Sequence, residues 1–284
     1  MPFPFFAHQA PVVPLKIAMP RRWSGTGLVL GSMAPDFGYF LIGTGTAPRI
    51  WHRPAGVFLL CLPLSLLLYW LVTRVVAEPT ARHLPMLGAF RLRGVGWLAA
   101  QPRTLSHWLV VAASIVVGAG THLAWDLFTH TGSWMGDYIP FLKRELFPIG
   151  SYDVIGSDVL WVLSTIFGGL ATLAALRHIG THDLLHAWAE AREPGSTRGL
   201  DPYGAAATGM FWPLVAAVLV FGAIGSYLTR PDGFEWNAKA TWVIIFLRAT
   251  AFGFVALCLA SLRERRAHAS LSRRSWTAPA RSSV

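Results

Sequence analysis

Charge is what this chain has least of. Of its 284 residues only 13% are Asp, Glu, Lys or Arg, about half the ~25% usual in soluble domains. Too little polar surface remains to cover a water-soluble globule of this size, which excludes a soluble enzyme. Acids are scarcer than bases, 14 against 24, leaving a net charge of +10. Cysteine is nearly missing. Cys61 and Cys258 both lie inside apolar stretches, which excludes a disulfide framework, a CxxC zinc motif and a redox pair. Also lacking are an internal repeat, long polar linkers between apolar stretches, and an N-terminal basic region followed by a plain apolar run. No separate soluble domain and no cleavable signal peptide are therefore expected.

What is present is apolar: 54% hydrophobic residues, 13 Trp and 17 Phe. A bilayer core about 30 Å thick needs ~20 such residues in a helix. Five stretches meet this, 54–77, 106–127, 155–177, 208–229 and 240–262. A sixth, 26–43, is shorter, Gly-rich and interrupted by Pro35 and Asp36. It either spans or forms a broken, re-entrant segment. The fold class expected is an all-α polytopic transmembrane helical bundle of five or six spans, with residues 1–262 as one transmembrane domain. With six spans and the N-terminus inside, the inner connections hold 17 Lys and Arg and the outer ones six. That asymmetry puts both ends in the cytoplasm. The basic segment 263–284 is read as an irregular cytoplasmic tail beyond its first turns, its partner an anionic lipid surface. Segment 181–193 reads as an amphipathic helix on the same face. The positive charge is thus assigned to lipid, and no nucleic acid is expected as a partner.

Ionisable groups at membrane depth are costly and point to function. The strongest cluster closes the 106–127 stretch. His122, Asp126 and His130 recur every four residues, a step that drifts only about 40° around a helix, so they share one face. His and carboxylate four apart can chelate one metal. His122 and His130 lie about 12 Å apart along the axis, so either His130 turns back past the helix end at Gly132 or two metals are held. His52 and Asp36 fall near the same membrane face, as do Asp153 and Asp158. Neutral imidazole with carboxylate suits a divalent transition metal, Zn first and then Mn or Fe. The same face could instead be a hydrogen-bonded network between helices or a proton path. A second run, His178, His182 and His186, is interrupted by Gly180 and reads as a wet helix face.

Four separated motifs, the opening MPFPFFAHQAPVVPL, then LVLGSMAPDFGYFL, then His52 before an apolar run, then GTHLAWDLFTH, resemble a bacterial family of integral membrane proteins built on a domain of unknown function. More distantly the chain is similar to LexA-regulated inner-membrane proteins classed as metal-dependent hydrolases. The resemblance implies that His8, Asp36, His52, His122, Asp126 and His130 form one polar site in a multi-pass protein of the bacterial plasma membrane. Two local departures stand out: Gln9 follows His8 where the family has Pro, and Arg53 follows His52 where Ser is common. Three functions follow as expectations: a metal-dependent hydrolase of a lipid-borne phosphoester or ester, a transporter or ion-conducting protein, and a non-catalytic scaffold with a structural polar cluster. His8 can join the others only if the N-terminal segment enters the bilayer or 26–43 is re-entrant.

Overall fold

Prolines decide where the helices bend. The computed structural model describes residues 7–42, 47–101, 104–130, 132–150, 152–228 and 239–277. Helix α1 (Val12–Ala18) follows a turn at residues 8–11, and the chain then reverses into α2 (Gly25–Met33). The Ser24 hydroxyl caps α2 by accepting the Gly27 N–H at 3.2 Å. A proline ring collides with the carbonyl four residues back in an α-helix. At Pro35 the chain accordingly tightens into a 3-10 turn, Ala34–Asp36, before α3 (Phe37–Ile42). The segment expected to span or re-enter is therefore a broken helix.

Helix α4 (Pro54–His83) keeps going through two prolines by loosening. Its two π-helical stretches, Val57–Cys61 and Val72–Val76, each contain the carbonyl four residues before a proline, Leu59 before Pro63 and Val75 before Pro79. The wider turn relieves the collision that a regular helix would suffer. After 3-10 turns at Gly88–Phe90 and Leu92–Ala99 comes α5 (Leu105–Thr129). A short helix α6 (Met135–Tyr138) and an antiparallel hairpin, β1 (Glu145–Ile149) with β2 (Tyr152–Ile155), lead to α7 (Gly156–Thr181). Helices α8 (Leu184–Arg192), α9 (Phe211–Leu228) and α10 (Lys239–Thr277) complete the chain.

The protein is an all-α bundle. Among the described residues four helices, α4, α5, α7 and α9, are long and apolar enough to cross a membrane. Their outer faces are greasy and uncovered: Ile166, Phe167 and Leu170 of α7 are each more than half exposed. Water would oppose such a surface and lipid would not. The expected 240–262 stretch falls within α10, though the side chains of 239–247 lie outside the described residues. α10 continues through Thr277, so the first part of the basic segment 263–284 is helical, and residues 278–284 lie outside the description.

Two glycines set the central packing. α2 and α5 run parallel, Gly27 facing Val111 and Ser114, and Ser32 facing Gly118 and His122. A Cβ on Gly31 would fall 2.1 Å from the Ile115 carbonyl, and one on Gly118 would fall 2.4 Å from that of Leu28. The backbones are in direct contact, as small residues permit between membrane helices. On α10, buried Glu264 accepts the N–H groups of Ala207 (2.5 Å) and Thr208 (3.1 Å) and lies 3.2 Å from His83. This ties α10 to the α9 approach and to the end of α4.

Candidate metal centre

The backbone contact between α2 and α5 places the first side chain of the site. Because the helices touch at Gly31 and Gly118, the Ser32 carbonyl comes within 2.8 Å of His122 Nδ1. That ring nitrogen donates to the carbonyl, so the lone pair of the imidazole sits on Nε2. The 3-10 turn at Pro35, directly after α2, swings Asp36 to the same point. His52, two residues before α4, approaches from a third segment, and Asp126 comes from the next turn of α5.

Four atoms meet there. His52 Nε2 is 3.4 Å from Asp36 Oδ1 and 3.6 Å from Asp126 Oδ2. His122 Nε2 is 3.7 Å from Asp36 Oδ1 and 3.2 Å from Asp126 Oδ2. Charge-assisted hydrogen bonds between such groups run at about 2.7–2.9 Å, and all four separations exceed that. A tetrahedral ion with bonds of ~2.0–2.2 Å holds its ligand atoms roughly 3.3–3.6 Å apart. The separations are close to those of ligands sharing an ion, but the carboxylates of Asp36 and Asp126 fall in separate ligand groups that share His122.

His8 is the fifth member. Its ring stacks on His122 with centroids 4.0 Å apart, and both its nitrogens are buried without a hydrogen-bond partner among the described residues. His122 Nε2 and Asp126 Oδ1 are likewise buried without a hydrogen bond. A buried lone pair with no donor is costly. Two triads have ligand atoms mutually within 4.8 Å: His8, His122 and Asp126, and Asp36, His52 and His122. His130 Nδ1 lies 3.3 Å from the second oxygen of Asp126. His130 therefore meets the cluster through Asp126, which answers the spacing problem of the sequence: the 12 Å between His122 and His130 need not be closed. Exposure rises from 1% at the His122 side chain through 23% at His52 to 37% at His130. The cluster thus opens toward the C-terminal end of α5.

Asp153 and Asp158 lie outside this cluster. Asp153 is exposed on β2, and Asp158 accepts the Ile155 N–H at 3.0 Å, a cap for the start of α7. The His178 run forms no metal-ligating group among the described residues: the His178 and His182 rings touch at a tilt, and His186 lies against Trp97. Sequence reasoning missed a second buried polar set on the opposite face. There the Tyr69 hydroxyl is 2.7 Å from His107 Nε2, and Arg192 Nη1 is 2.9 Å from His107 Nδ1. An ionisable group at the start of an apolar stretch, His107, was the available sign.

Fold and site together define a class: an integral-membrane helical bundle with a buried His and Asp cluster of metal-ligating composition. The chain belongs to the family described as Domain of unknown function (DUF4184), whose model matches residues 1–262. No curated protein and no solved structure matches the chain.

Proposed function

We propose that the protein is a membrane-embedded, metal-dependent hydrolase of a lipid-borne phosphoester or ester. The observation behind this reading is the spacing of Asp36 Oδ1, His52 Nε2, His122 Nε2 and Asp126 Oδ2, at 3.2–3.7 Å across their four measured edges. His8 adds an imidazole without a hydrogen-bond partner among the described residues, beside His122 and Asp126. The two overlapping triads, Asp36 with His52 and His122, and His8 with His122 and Asp126, offer the imidazole and carboxylate ligands that suit zinc, and manganese or iron after it. Such an ion supplies Lewis-acid polarisation of an ester or phosphoryl oxygen and a water acidic enough to attack at neutral pH.

The chain's own groups have separable tasks. The Ser32 carbonyl orients His122, and His130 lies beside the outer oxygen of Asp126 at 3.3 Å. His52, partly exposed, is the ligand candidate that faces the opening. Beyond α5, Trp134, Tyr138, Phe141, Phe147 and Ile149 are exposed. Aromatic and apolar side chains of this kind sit at the lipid–water boundary, which favours a substrate delivered by the bilayer. The resemblance to the LexA-regulated inner-membrane proteins supports the hydrolytic reading.

The test is elemental analysis of the purified protein. The unmodified chain is expected to retain roughly one Zn, Mn or Fe per chain, and His122→Ala with Asp126→Ala to retain none. Hydrolysis of short-chain phospholipid esters should then vanish with a chelator and return with the metal. Protein without metal, behaving identically after His122→Ala, would sink the reading. A pH-driven flux in liposomes with no product formed would assign the cluster to a proton path instead.

A further inference from the structure

About 22 Å along α5 from His122, at 1.5 Å per residue, His107 marks a second polar region on the other membrane face. Here Lys16 is 7% exposed, and its ammonium donates to the carbonyls of Pro20 (2.5 Å) and Trp23 (3.0 Å). It also sits 4.7 Å from the Trp188 ring centre. Arg192 donates to His107 Nδ1 and to the carbonyl of Trp23 at 3.3 Å. Every one of these acceptors is neutral. Among the described residues neither Lys16 nor Arg192 is paired with a carboxylate. Two buried or half-buried cations without a counter-charge are costly. Burial and the Arg192 charge pull the Lys16 ammonium down to about 7, so the protein alone holds this charge poorly.

Both cations line a cavity of about 340 Å³, within the ~300–1,000 Å³ typical of ligand sites. Gln101 adds a polar group, while Val12, Leu98 and Ile179 make the walls apolar. Gly25 and Thr26, the first residues of α2, also border it, and a helix N-terminus adds partial positive charge. Arg192 and Trp188 also belong to a wider outer depression of about 660 Å³ flanked by Arg21 and Arg22.

We propose that this cavity binds a phosphate group, with Lys16 and Arg192 as its counter-charges. A cationic end with apolar walls fits a phosphate that carries hydrocarbon, so an anionic phospholipid headgroup is the expected source and free phosphate the other. Arg192, through His107, then links the ligand to Tyr69 on α4 and to the start of α5.

The experiment uses the full chain in a neutral detergent, with phosphatidylglycerol, phosphatidylcholine and inorganic phosphate as separate probes. Native mass spectrometry of the unmodified protein should retain phosphatidylglycerol and not phosphatidylcholine, and phosphatidylglycerol should raise Tm. Lys16→Gln and Arg192→Gln should each weaken that binding about tenfold, as loss of a charge-assisted hydrogen bond does, and Lys16→Arg should preserve it. A Tm rise with inorganic phosphate, removed by the same variants, would support the site with free phosphate as its ligand. Equal retention of both lipids by the unmodified protein, or a phosphatidylglycerol effect untouched in folded Lys16→Gln and Arg192→Gln, would overturn the proposal. These readouts do not depend on metal at the other face.

Discussion

Asp126 is the residue on which the candidate metal centre turns. One oxygen faces His122 and His52, and the other faces His130. The two histidines flanking it on α5 should therefore differ. His122, oriented by Ser32 and 1% exposed, has the place of a ligand in the proposed centre. His130, at 37% exposed, acts on the carboxylate. Replacing His122 by Ala should abolish metal retention. Replacing His130 by Ala should keep the metal with affinity lowered by about 10–100-fold, the usual loss when an outer partner goes. A competitive chelator titration of the two variants measures this, and equal losses would place His130 among the ligands. The periodicity of α5 was enough to pick out all three residues, because a helix face is written directly in the sequence. The role of Ser32 was not, because it acts through its carbonyl, and any residue type offers one. His8 was reachable only by resemblance, since no local pattern tells which helix an N-terminal residue will meet.

At the scale of the element, the site depends on how closely α2 and α5 approach. A Cβ on Gly31 has the Ile115 backbone at 2.1 Å, and backbone cannot step aside as a side chain can. Gly31→Ala should push the helices apart, costing about 1–3 kcal/mol as overpacking does, and should lengthen the bond from His122 to Ser32. Metal retention should fall with stability. Gly120→Ala on α5 is the control: nothing lies within 4 Å of its Cβ position, and Ala favours a helix over Gly by ~1 kcal/mol. It should hold or raise Tm and leave the metal in place. If Gly31→Ala binds metal like the unmodified chain, the close contact does not position the site. Hydropathy located the apolar stretches within a few residues of the observed helices, 106–127 becoming Leu105–Thr129 and 155–177 becoming Gly156–Thr181. It could not reveal the parallel contact of α2 with α5. Glycines in an apolar run read alike whether they face lipid, as open space, or another backbone. The hairpin at 145–155 was also missed, being two short strands between apolar stretches with no partner sheet to mark them.

For the molecule as a whole, the two polar regions sit at opposite ends of α5, and sidedness decides what each can meet. The His and Asp cluster lies toward the C-terminal end of α5, beside the exposed hairpin. At the other end gather the turn between α1 and α2, α8, and the end of α4, whose Val75 carbonyl accepts from Arg265 of α10 at 3.3 Å. Arg21, Arg22, Arg192 and the Arg263–Arg266 stretch therefore share one face, and we propose, from the 17-to-6 division of Lys and Arg in the six-span reading, that this face is cytoplasmic. Green fluorescent protein fused after Val284 should then fluoresce, and alkaline phosphatase fused there should be inactive. The cationic cavity would face the inner leaflet, where anionic phospholipid gives a negative surface, and the metal centre would open to the outer one. An active phosphatase fusion would invert both assignments, leaving the cavity chemistry intact but moving the hydrolytic site to the cytoplasmic leaflet. Membrane-impermeant chelators separate the same alternatives on intact cells. They should strip the metal from outside if the centre opens outward, and leave it in place if it opens inward.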